Sequence, residues 1–329
     1  MTLVQVKNAC IVEEYESLPP DVVFMKSFED KVFDTMKRFN LISSSDKVLV
    51  AVSGGKDSTV LLSLLKKFGF NVEAITIDVH IGCYTKKNLE NIQKFCDGLG
   101  VKLNVFEFRK EYGYSVCYIT SVLKEKGAGL GTCTVCGVLR RRLLNQTARS
   151  IGASKIAFGH NRDDEVQSFF MNVMKNRHEL NARLGPRPGV VGDDLFVRRV
   201  KPLFFCAEED IAKYSKMCSF PVAYARCPCS PESTRGCIRA FLDGAESLFP
   251  NARQHLADFL VEIQPRLLEQ FANKSPVRVC KKCREPTSQE VCRSCNIITT
   301  LHSSPIAPEP EDFTLKAGFL VDDGDHDSL

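Results

Sequence analysis

The string SGGKDS at positions 53–58 has the residue types of a loop that binds phosphate. Two adjacent glycines let the backbone approach a phosphate closely, and a helix that begins here adds free N–H donors and a partial positive charge. The string is not a Walker motif, because G-x-x-x-x-G-K-S/T is absent and an aspartate follows the lysine. A glycine-rich turn that only packs against its neighbours is the structural alternative.

Carboxylates follow two other apolar runs of the chain. Asp78 ends the run ITID, where it could contact the ribose or base of an adenosine, and the string GHNRDDE at 159–165 follows another run. Its carboxylates could hold the Mg²⁺ that bridges ATP phosphates. Asp163 and Asp164 could also cap the next helix, and the two roles are compatible. The predicted nucleotide-binding residues are Ser53, Gly54, Gly55, Lys56, Asp57, Ser58, Asp78, His80, Gly159 and Asp163.

The last cysteines of the chain form two C-x-x-C pairs separated by eight residues. Four thiolates at this spacing are typical of a closed, structural zinc site, and the segment 276–302 is too small to fold without such a staple. The alternative of buried apolar cysteines is disfavoured, because Lys, Arg, Ser and Glu flank the pairs. The predicted zinc ligands are Cys280, Cys283, Cys292 and Cys295.

A second group of cysteines lies in the middle of the chain, as CTVC at 133–136 and CPC at 227–229. No second C-x-x-C pair is present there to complete a zinc site. Three thiolates from separate elements suit an iron–sulfur cluster with one iron left open, or a dithiol that passes sulfur on as a persulfide. A redox C-x-x-C or cysteines buried in the core are the alternatives.

Composition limits the class of protein. The chain has 329 residues, 44% of them apolar, which suffices for one large core with attachments. It contains no apolar run of about 18 residues and no signal peptide, so we expect a soluble, cytoplasmic protein that uses its fifteen cysteines for metal or redox chemistry. The net charge of +4 combines an acidic tail with a basic body. Clusters such as RRR at 140–142 and RRVK at 198–201 make nucleic-acid binding possible, although scattered basic residues are usually only solvated.

Strand and helix patterns alternate and would place these motifs at one edge of a sheet. They predict an α/β fold with a doubly wound parallel sheet, in which the strand before the SGGKDS loop is central to ligand binding. The predicted strands are 47–52, 72–77, 101–108 and 154–158; the predicted helices are 28–45, 58–68, 86–99, one from about 163, 208–218 and 246–273. The segment 181–192 reads as a loop, and no further strand is predicted.

In this order, the strings SGGKDS, CTVCGVLRRR, GHNRDDE and RCPCSPESTRG and the terminal C-x-x-C pairs resemble the TtcA/TtuA family of PP-loop tRNA thiolation enzymes. The resemblance is greatest to the tRNA 2-thiouridine synthetase branch and covers about residues 24–302. It implies the fold of N-type ATP pyrophosphatases, which cleave ATP between the α and β phosphates. The domains expected are an N-terminal extension at 1–23, a PP-loop domain at 24–275, a zinc module at 276–302 and an acidic disordered tail at 303–329.

The resemblance also implies a mechanism. ATP with Mg²⁺ would adenylate the C2 oxygen of a tRNA uridine, with the wobble uridine as the expected target, and sulfur would then replace the AMP. A 4Fe-4S cluster on Cys133, Cys136 and Cys227 would carry the sulfur as a hydrosulfide on its open iron. Cys227 is chosen over Cys229 because the family string places the ligand four positions before a proline. Arg140 and Asp164 match positions near the activated base.

The implied partners are tRNA, a sulfur donor that is either sulfide or a ubiquitin-like thiocarboxylate carrier protein, and a second copy in a homodimer. One departure is that relatives commonly begin with a zinc module, whereas this chain has only Cys10 there. Within enzymes, the alternatives are cytidine 2-thiolation, lysidine formation and an amidotransferase. A non-catalytic RNA-binding subunit is the alternative of a different class.

Overall fold

The computed structural model describes residues 19–189, 196–222, 224, 227, 235–271, 278–303 and 305–310. It contains a five-stranded sheet and a small two-stranded sheet. The strands are β1 (Lys47–Ala51), β2 (Asn71–Asp78), β3 (Leu103–Glu107), β4 (Lys155–Phe158), β5 (Arg198–Val200), β6 (Arg278–Val279) and β7 (Pro286–Thr287). The helices are α1 (Pro20–Arg38), α2 (Lys56–Lys67), α3 (Gly82–Leu99), α4 (Phe108–Tyr112), α5 (Val116–Glu125), α6 (Thr132–Ser150), α7 (Arg162–Met174), α8 (His178–Asn181), α9 (Glu208–Met217), α10 (Arg235–Leu248), α11 (Ala252–Phe271) and α12 (Arg293–Leu301).

The large sheet has the order β3-β2-β1-β4-β5, and all its neighbouring strands are parallel. Strand β1 shows why the sheet is covered on both faces. Val48, Leu49 and Val50 are all fully buried; Val48 and Val50 pack in one apolar cluster and Leu49 in another, as alternating side chains must. The predicted doubly wound α/β fold is therefore confirmed.

The strand order reverses at β1, which has β2 on one side and β4 on the other. At such a reversal the loops that leave the two neighbouring strands diverge to opposite faces and open a crevice at the carboxyl edge. Here these are the loop after β1, at positions 52–55, and the loop after β4, at 159–161. Both carry predicted site residues.

Some elements differ from the sequence prediction. Helix α1 begins at Pro20, inside the segment assigned to an N-terminal extension, because a proline suits the first turn of a helix. It ends at Arg38 and not at 45, since Asp46 accepts hydrogen bonds from Ser43 and closes a turn there. The predicted helix 246–273 is two helices, α10 and α11, which are separated around Asn251 with its positive φ of 67°.

The cysteine-rich module at 278–301 comprises β6, β7 and α12, and it packs on α5 and α6. The Asn145 amide of α6 donates to Glu285 over 2.7 Å, and Lys126 donates to the carbonyl of Leu301 at the end of α12 over 2.7 Å. Ile297 and Leu301 join the apolar cluster on that face of the large sheet. The module is thus fixed to the α/β domain.

Residues 305–310 continue from the module as an ordered segment, although the sequence predicts disorder from 303 onward. Tyr118 donates a 2.6 Å hydrogen bond to the carbonyl of Ala307. The carboxylate of Glu309 accepts from the Ser115 N–H over 2.9 Å and pairs with Arg109 over 3.3 Å. The rest of the predicted tail, 311–329, and residues 1–18 lie outside the described residues. Each described helix is too short or too polar to span a bilayer.

Candidate active site

The SGGKDS loop leaves β1 and closes on itself before α2 begins. The Ser53 N–H donates to the hydroxyl of Ser58 over 3.1 Å, and that hydroxyl donates to the carbonyl of Gly55 over 3.1 Å. Ser58 is buried, whereas Ser53 is exposed. Ser58 therefore shapes the loop, and Ser53, whose hydroxyl lies 3.4 Å from that of Ser58, is the more accessible of the two serines.

Two predicted glycines are required by the packing of this loop. Gly54 has a φ of 87°, and a Cβ there would lie 2.7 Å from the Cβ of Asn88 on α3. A Cβ on Gly159 would lie 2.8 Å from the backbone of Asp57 and Ser58. Any side chain at either position would push the loop away from its neighbour. The two glycines thus hold the strand ends and the first turn of α2 close together.

Lys56 occupies the first turn of α2 between two carboxylates. Its Nζ lies 3.2 Å from Asp57 and 3.1 Å from Glu208, the first residue of α9. Burial lowers the pKa of this amine, but Asp57 and Glu208 outweigh burial, so that the pKa is raised. The amine is therefore charged at neutral pH and suited to a phosphate.

Asp57 and Asp164 face each other across the reversal point of the sheet. Asn161 donates from its amide to Asp57 over 2.9 Å, and its own carbonyl oxygen accepts from the Asp164 N–H over 3.0 Å. Burial raises the pKa of both carboxyl groups. The two groups also lie close enough that the charge of Asp164 raises the pKa of Asp57 further. Two carboxylates that repel each other in this way suit a divalent cation.

Of the two aspartates that could cap helix α7, only Asp164 does so, because the two side chains diverge. Asp164 forms a capping box with Asn161, while Arg235 of α10 donates to its other oxygen over 2.9 Å. Asp163 instead accepts from the N–H of Glu208 over 2.9 Å and pairs with Arg253 over 3.1 Å. The carboxylate of Asp163 is therefore engaged in joining α7, α9 and α11.

Asp78 and His80 lie beyond the carboxyl end of β2, one strand from the loop. The carboxylate of Asp78 accepts from the His80 N–H over 2.7 Å, and His80 has a positive φ of 56°. The imidazole lies 3.7 Å from Asp78 on one side and 3.7 Å from Glu107 on the other. These contacts fix the turn after β2 at the crevice, and contact with adenosine stays a prediction for both residues.

The central cysteines meet at the start of α6. Burial raises the pKa of the Cys136 thiol. Arg140, one helical turn further on, hydrogen-bonds to this thiol and lowers its pKa, whereas Cys227 and Cys133 raise it. The Cys136 thiol therefore interacts with both Cys133 and Cys227, and a cluster shared by the three cysteines stays a prediction. Cys133 is exposed, and Cys136 and Cys227 are half-buried. A metal group held there would be reachable from solvent.

The terminal cysteines form a tighter group. The ligand atoms of Cys280, Cys283, Cys292 and Cys295 all lie within 4.8 Å of one another, and the Sγ atoms of Cys283 and Cys292 are 3.6 Å apart. Four sulfurs at 2.3 Å from one ion in a tetrahedron would be about 3.8 Å apart. The Cys292 N–H donates to Cys280 over 3.2 Å. The donor set therefore fits a single tetrahedral metal ion.

A model of the PP-loop domain family matches residues 25–220, which is more than half of the chain. The tRNA-5-methyluridine(54) 2-sulfurtransferase of Pyrococcus horikoshii is 30% identical over 272 residues, with 83% of this chain and 84% of that protein covered. This chain belongs to the PP-loop tRNA thiolation family. The cytoplasmic tRNA 2-thiolation protein 1 of Caenorhabditis briggsae is 31% identical, with 85% and 74% covered.

The PP-loop protein also resembles a solved structure of the same family. The U34-tRNA thiolase NcsA from Methanococcus maripaludis, determined with its 4Fe-4S cluster, aligns with a TM-score of 0.70 and 27% identity. The alignment covers 84% of this chain and 88% of that one. The family predicted from the order of the sequence motifs is thus confirmed.

Two residues of α3 in this PP-loop protein were missed by the sequence reasoning. Asn88 is buried against Gly54 of the loop. Tyr84 lies one turn earlier and hydrogen-bonds to Asn88. Burial and, to a smaller extent, Cys227 raise the pKa of the Tyr84 hydroxyl, whereas Arg140 lowers it. A single helical turn therefore joins the phosphate loop to the cysteine group. The available signal was the i, i+4 spacing of two polar residues on a helix that leaves the crevice edge.

Arg141 and His160 were also not among the predicted site residues. The guanidinium atoms of Arg141 would lie 3.6–3.8 Å from a Cβ on Gly137, so the side chain folds back over the glycine that follows Cys136. His160 is exposed beside the ring of Phe158, and desolvation in the crevice together with the nearby Lys201 lowers its pKa to about 4. The imidazole is therefore neutral at pH 7.

Proposed function

We propose that this protein is an ATP-dependent tRNA 2-thiolation enzyme, which adenylates the C2 oxygen of the wobble uridine and replaces it with sulfur. One observation carries the proposal. Tyr84 and Asn88 lie one turn apart on α3: Asn88 packs against Gly54 of the phosphate loop, and Tyr84 lies near enough to Cys227 for that thiol to raise the pKa of its hydroxyl. One helical turn rises about 5.4 Å, which is comparable with the size of one base. A uridine between them could meet both reagents.

The names of the relatives support this reaction and differ in the nucleotide. The worm protein is named for tRNA 2-thiolation, the Pyrococcus protein for 5-methyluridine 54, and the Methanococcus protein for uridine 34. We favour uridine 34, because an anticodon-loop base can be splayed out to reach a crevice more readily than a stacked base. By the name of the worm relative, we also place the protein in the cytoplasm.

In the first step, the uridine C2 oxygen attacks the α-phosphorus of ATP. The O–P bond forms as the anhydride bond between the α and β phosphates breaks, and pyrophosphate leaves. The N–H groups at the start of α2, the exposed Ser53 hydroxyl and the charged Lys56 would hold the β and γ phosphates. Binding of ATP would draw Lys56 away from its present partner, Glu208.

Asp57 and Asp164 would hold the Mg²⁺ that accompanies ATP. Magnesium commonly binds through one or two carboxylates and the substrate phosphates, and these two groups already repel each other. Asn161 holds the Asp57 carboxylate through its side-chain amide, and its backbone N–H donates to the Asp164 carboxylate. Asp163 would support this pair indirectly, by fixing the start of α9.

In the second step, sulfur attacks C2, and AMP leaves with the former C2 oxygen. Three thiols that act on one another beside Arg140 fit the three-cysteine ligand set of a 4Fe-4S cluster. The cluster, when bound, would supply the sulfur atom. Arg140 would stabilise the negative charge that develops on the leaving group, and Tyr84 would cover the site on the side of Cys227. The donor would be sulfide or a thiocarboxylate carrier, and because either delivers sulfur at the oxidation level of the product, no electrons are needed.

We further propose that the terminal cysteines hold zinc in a structural role. Zinc is the usual ion of closed four-thiolate sites, and the spacing of these sulfur atoms fits one tetrahedral ion. Burial acts to raise the pKa of Cys280, but backbone N–H donors from Cys292, Cys283 and Lys282 outweigh it and lower the pKa to about 6. The thiolate of Cys280 is thus favoured near neutral pH, whereas burial is the largest cause that raises the pKa of Cys283 and Cys295. A homodimer remains our expectation for the assembly.

The test uses the full chain, purified without oxygen, reconstituted with iron and sulfide, and incubated with ATP, Mg²⁺, sulfide and unmodified tRNA. We expect AMP and pyrophosphate to form, and 2-thiouridine to appear in digested tRNA by mass spectrometry. Lys56→Ala and Asp164→Asn should abolish AMP formation. The exposed Cys237→Ser is the control for cysteine loss and should behave as wild type. Thiolated cytidine, or no AMP under any of these conditions, would contradict the proposal.

A further inference from the structure

Some basic residues of the two clusters have partners within the protein, and others do not. Lys201 is 6% exposed and pairs with the buried Glu165, so it is not available to a partner. Arg140 bonds to Cys136, and Arg142 contacts the Sγ of Cys295 over 3.9 Å. The cluster RRR at 140–142 and the cluster RRVK at 198–201 thus leave only part of their charge free for binding.

Three of the remaining arginines lie on three different elements: Arg141 on α6, Arg199 on β5 and Arg293, which belongs to neither cluster, at the start of α12. Within the described part of the chain, none of them forms an ion pair or a side-chain hydrogen bond. Arg141 and Arg293 are exposed, and Arg199 is half-buried. Each is therefore accessible, and no carboxylate among the described residues pairs with it.

The backbone packing brings these elements to one face of α6. Asn145, one turn after Arg141, accepts from the Val197 N–H at the start of β5 and donates to Glu285 of the cysteine module. Residues four apart lie on the same helix face, so Arg141 faces the same two neighbours. Its guanidinium folds back over Gly137, beside Cys136. This face therefore connects the cysteine group to both β5 and the module.

Arg199 and Arg293 extend the charge in two directions from Arg141. The guanidinium of Arg199 lies 5.9 Å from the ring centre of Phe158, whose ring stacks on that of His160 at the crevice. Burial and, to a smaller extent, the charge of Arg141 lower the pKa of Arg199 to about 10. Burial and then the charge of Arg293 lower the pKa of Arg141. Like charges in such a row destabilise one another unless an anion binds.

We propose that Arg141, Arg199 and Arg293 form a track that binds the phosphate backbone of the substrate RNA. The track extends from β5 of the α/β domain to α12 of the C-terminal cysteine module, and Arg141 in its middle lies beside Cys136. The inference rests on the proposed function, because it takes tRNA as the substrate. A polyanion fits better than a single phosphate, since the three guanidinium groups come from separate elements. The phosphate loop supplies the site for ATP phosphates separately. A backbone held on both sides of Arg141 would present one base to the cysteines.

The experiment measures binding of unmodified tRNA to the cluster-free full chain as a function of salt, by fluorescence anisotropy. Arg141→Gln, Arg199→Gln and Arg293→Gln should each weaken binding roughly tenfold at 0.1 M salt, as expected for the loss of one charge-assisted contact. Each should also reduce the slope of log K against log salt by about 0.7 to 0.9. The triple variant should reduce the slope by about 2 to 3.

Two arginines serve as matched controls. Arg149 lies on α6, two turns after Arg141, but pairs with Glu285 over 3.2 Å. Arg198 neighbours Arg199 on β5, and alternate residues of a strand point to opposite faces. Arg149→Gln and Arg198→Gln remove the same charge and should change the affinity less than twofold. If they weaken binding as much as the track variants, net charge explains the effect and the track is refuted.

Further readings separate this inference from failure of the proposed function. Affinity for ATP should stay at the wild-type value in all three variants, and Arg293→Gln should keep the metal of the adjacent cysteine module. Track variants that bind tRNA like wild type would overturn the inference, even if the wild type thiolates tRNA. Conversely, a wild type that binds tRNA through the track but forms no 2-thiouridine would contradict the proposed function alone.

Discussion

The two groups of cysteines differ in how the chain builds them. Cys280, Cys283, Cys292 and Cys295 come from one short module, lie within 4.8 Å of one another, and three of them are buried. Cys133 and Cys136 begin a helix, whereas Cys227 comes from a segment more than ninety residues later, and all three are at least partly exposed. Local spacing builds the first group, and the tertiary fold builds the second.

The residues that surround the two groups of cysteines also differ. Around the terminal group, backbone N–H groups point at sulfur, and the sulfurs are the main apolar packing of the module. Around the central group lie Arg140, Arg141 and Tyr84, which are able to contact a substrate. A closed site of the first kind stabilises a fold, and an open site of the second kind performs chemistry.

The largest effect is expected from Cys280→Ser. The module has few apolar contacts of its own beyond the cysteines, so loss of one metal ligand should unfold it. We expect loss of zinc in metal analysis and rapid proteolysis after residue 271, while iron binding by the α/β domain persists. Cys133→Ser is the matched control and should keep the zinc. A Cys280→Ser variant with full zinc and normal protease resistance would break the comparison.

Cys136→Ser should have the opposite pattern. Its side chain is half-buried, interacts with Arg140 and packs against one apolar cluster, so the free energy of unfolding should change by no more than about 1 kcal/mol. Thiolation of tRNA should fall below detection, because a ligand of the iron–sulfur group is lost. Thermal unfolding and 2-thiouridine analysis on the same preparation measure both. A large loss of stability would indicate that the central cysteines are structural as well.

Gly159→Ala tests whether the phosphate loop depends on the strand that ends beside it. The added Cβ would lie 2.8 Å from the backbone of Asp57 and Ser58, so the first turn of α2 must shift. We expect the KM for ATP to rise roughly tenfold and stability to fall by about 1–3 kcal/mol, with the zinc content unchanged. Gly98→Ala on α3, where a Cβ meets nothing within 4 Å, is the control. Equal effects of the two variants would rule out the close contact as the cause.

The smallest effect is expected from Glu309→Gln, which tests how the cysteine module is tied to the α/β domain. Burial would raise the pKa of this carboxyl, but hydrogen bonds from Ser115 and the pairing with Arg109 outweigh it and hold the pKa below its ordinary value. A depressed pKa stabilises the folded protein above pH 4.5 or so, and this contribution is lost as the pH falls through the folded pKa. The variant should show faster amide exchange at 305–310 with zinc retained.

The pH series gives the contradicting outcome for that variant. Wild-type exchange at 305–310 should accelerate only in acid, below the ordinary pKa of a glutamate, whereas the variant should exchange fast at every pH. Equal rates for both proteins at pH 7 would mean that Glu309 does not hold this segment. The exposed Glu290, whose partner Lys281 lies within the module, provides a control for loss of a surface ion pair.

Much of the fold could be predicted because its signals are local. The apolar run before the phosphate loop predicted β1, and the strand before GHNRDDE with its aspartates predicted a helix from about 163, which begins at Arg162. Strand β5 was missed, because three residues that include two arginines carry no apolar pattern. Helix α6 was also unassigned, since its cysteines and arginines face other elements and obscure the helical period.

The sequence by itself determined the chemistry available to this protein: a phosphate loop, four closely spaced zinc ligands and three further cysteines, all recognisable from residue type and spacing. Only the tertiary structure decided which groups meet. It turned Asp163 towards Arg253 and Asp164 towards the crevice, and it placed Arg141 over Gly137. The physical reason is that spacing fixes neighbours within a few residues, whereas contacts between distant residues depend on how the helices and strands pack.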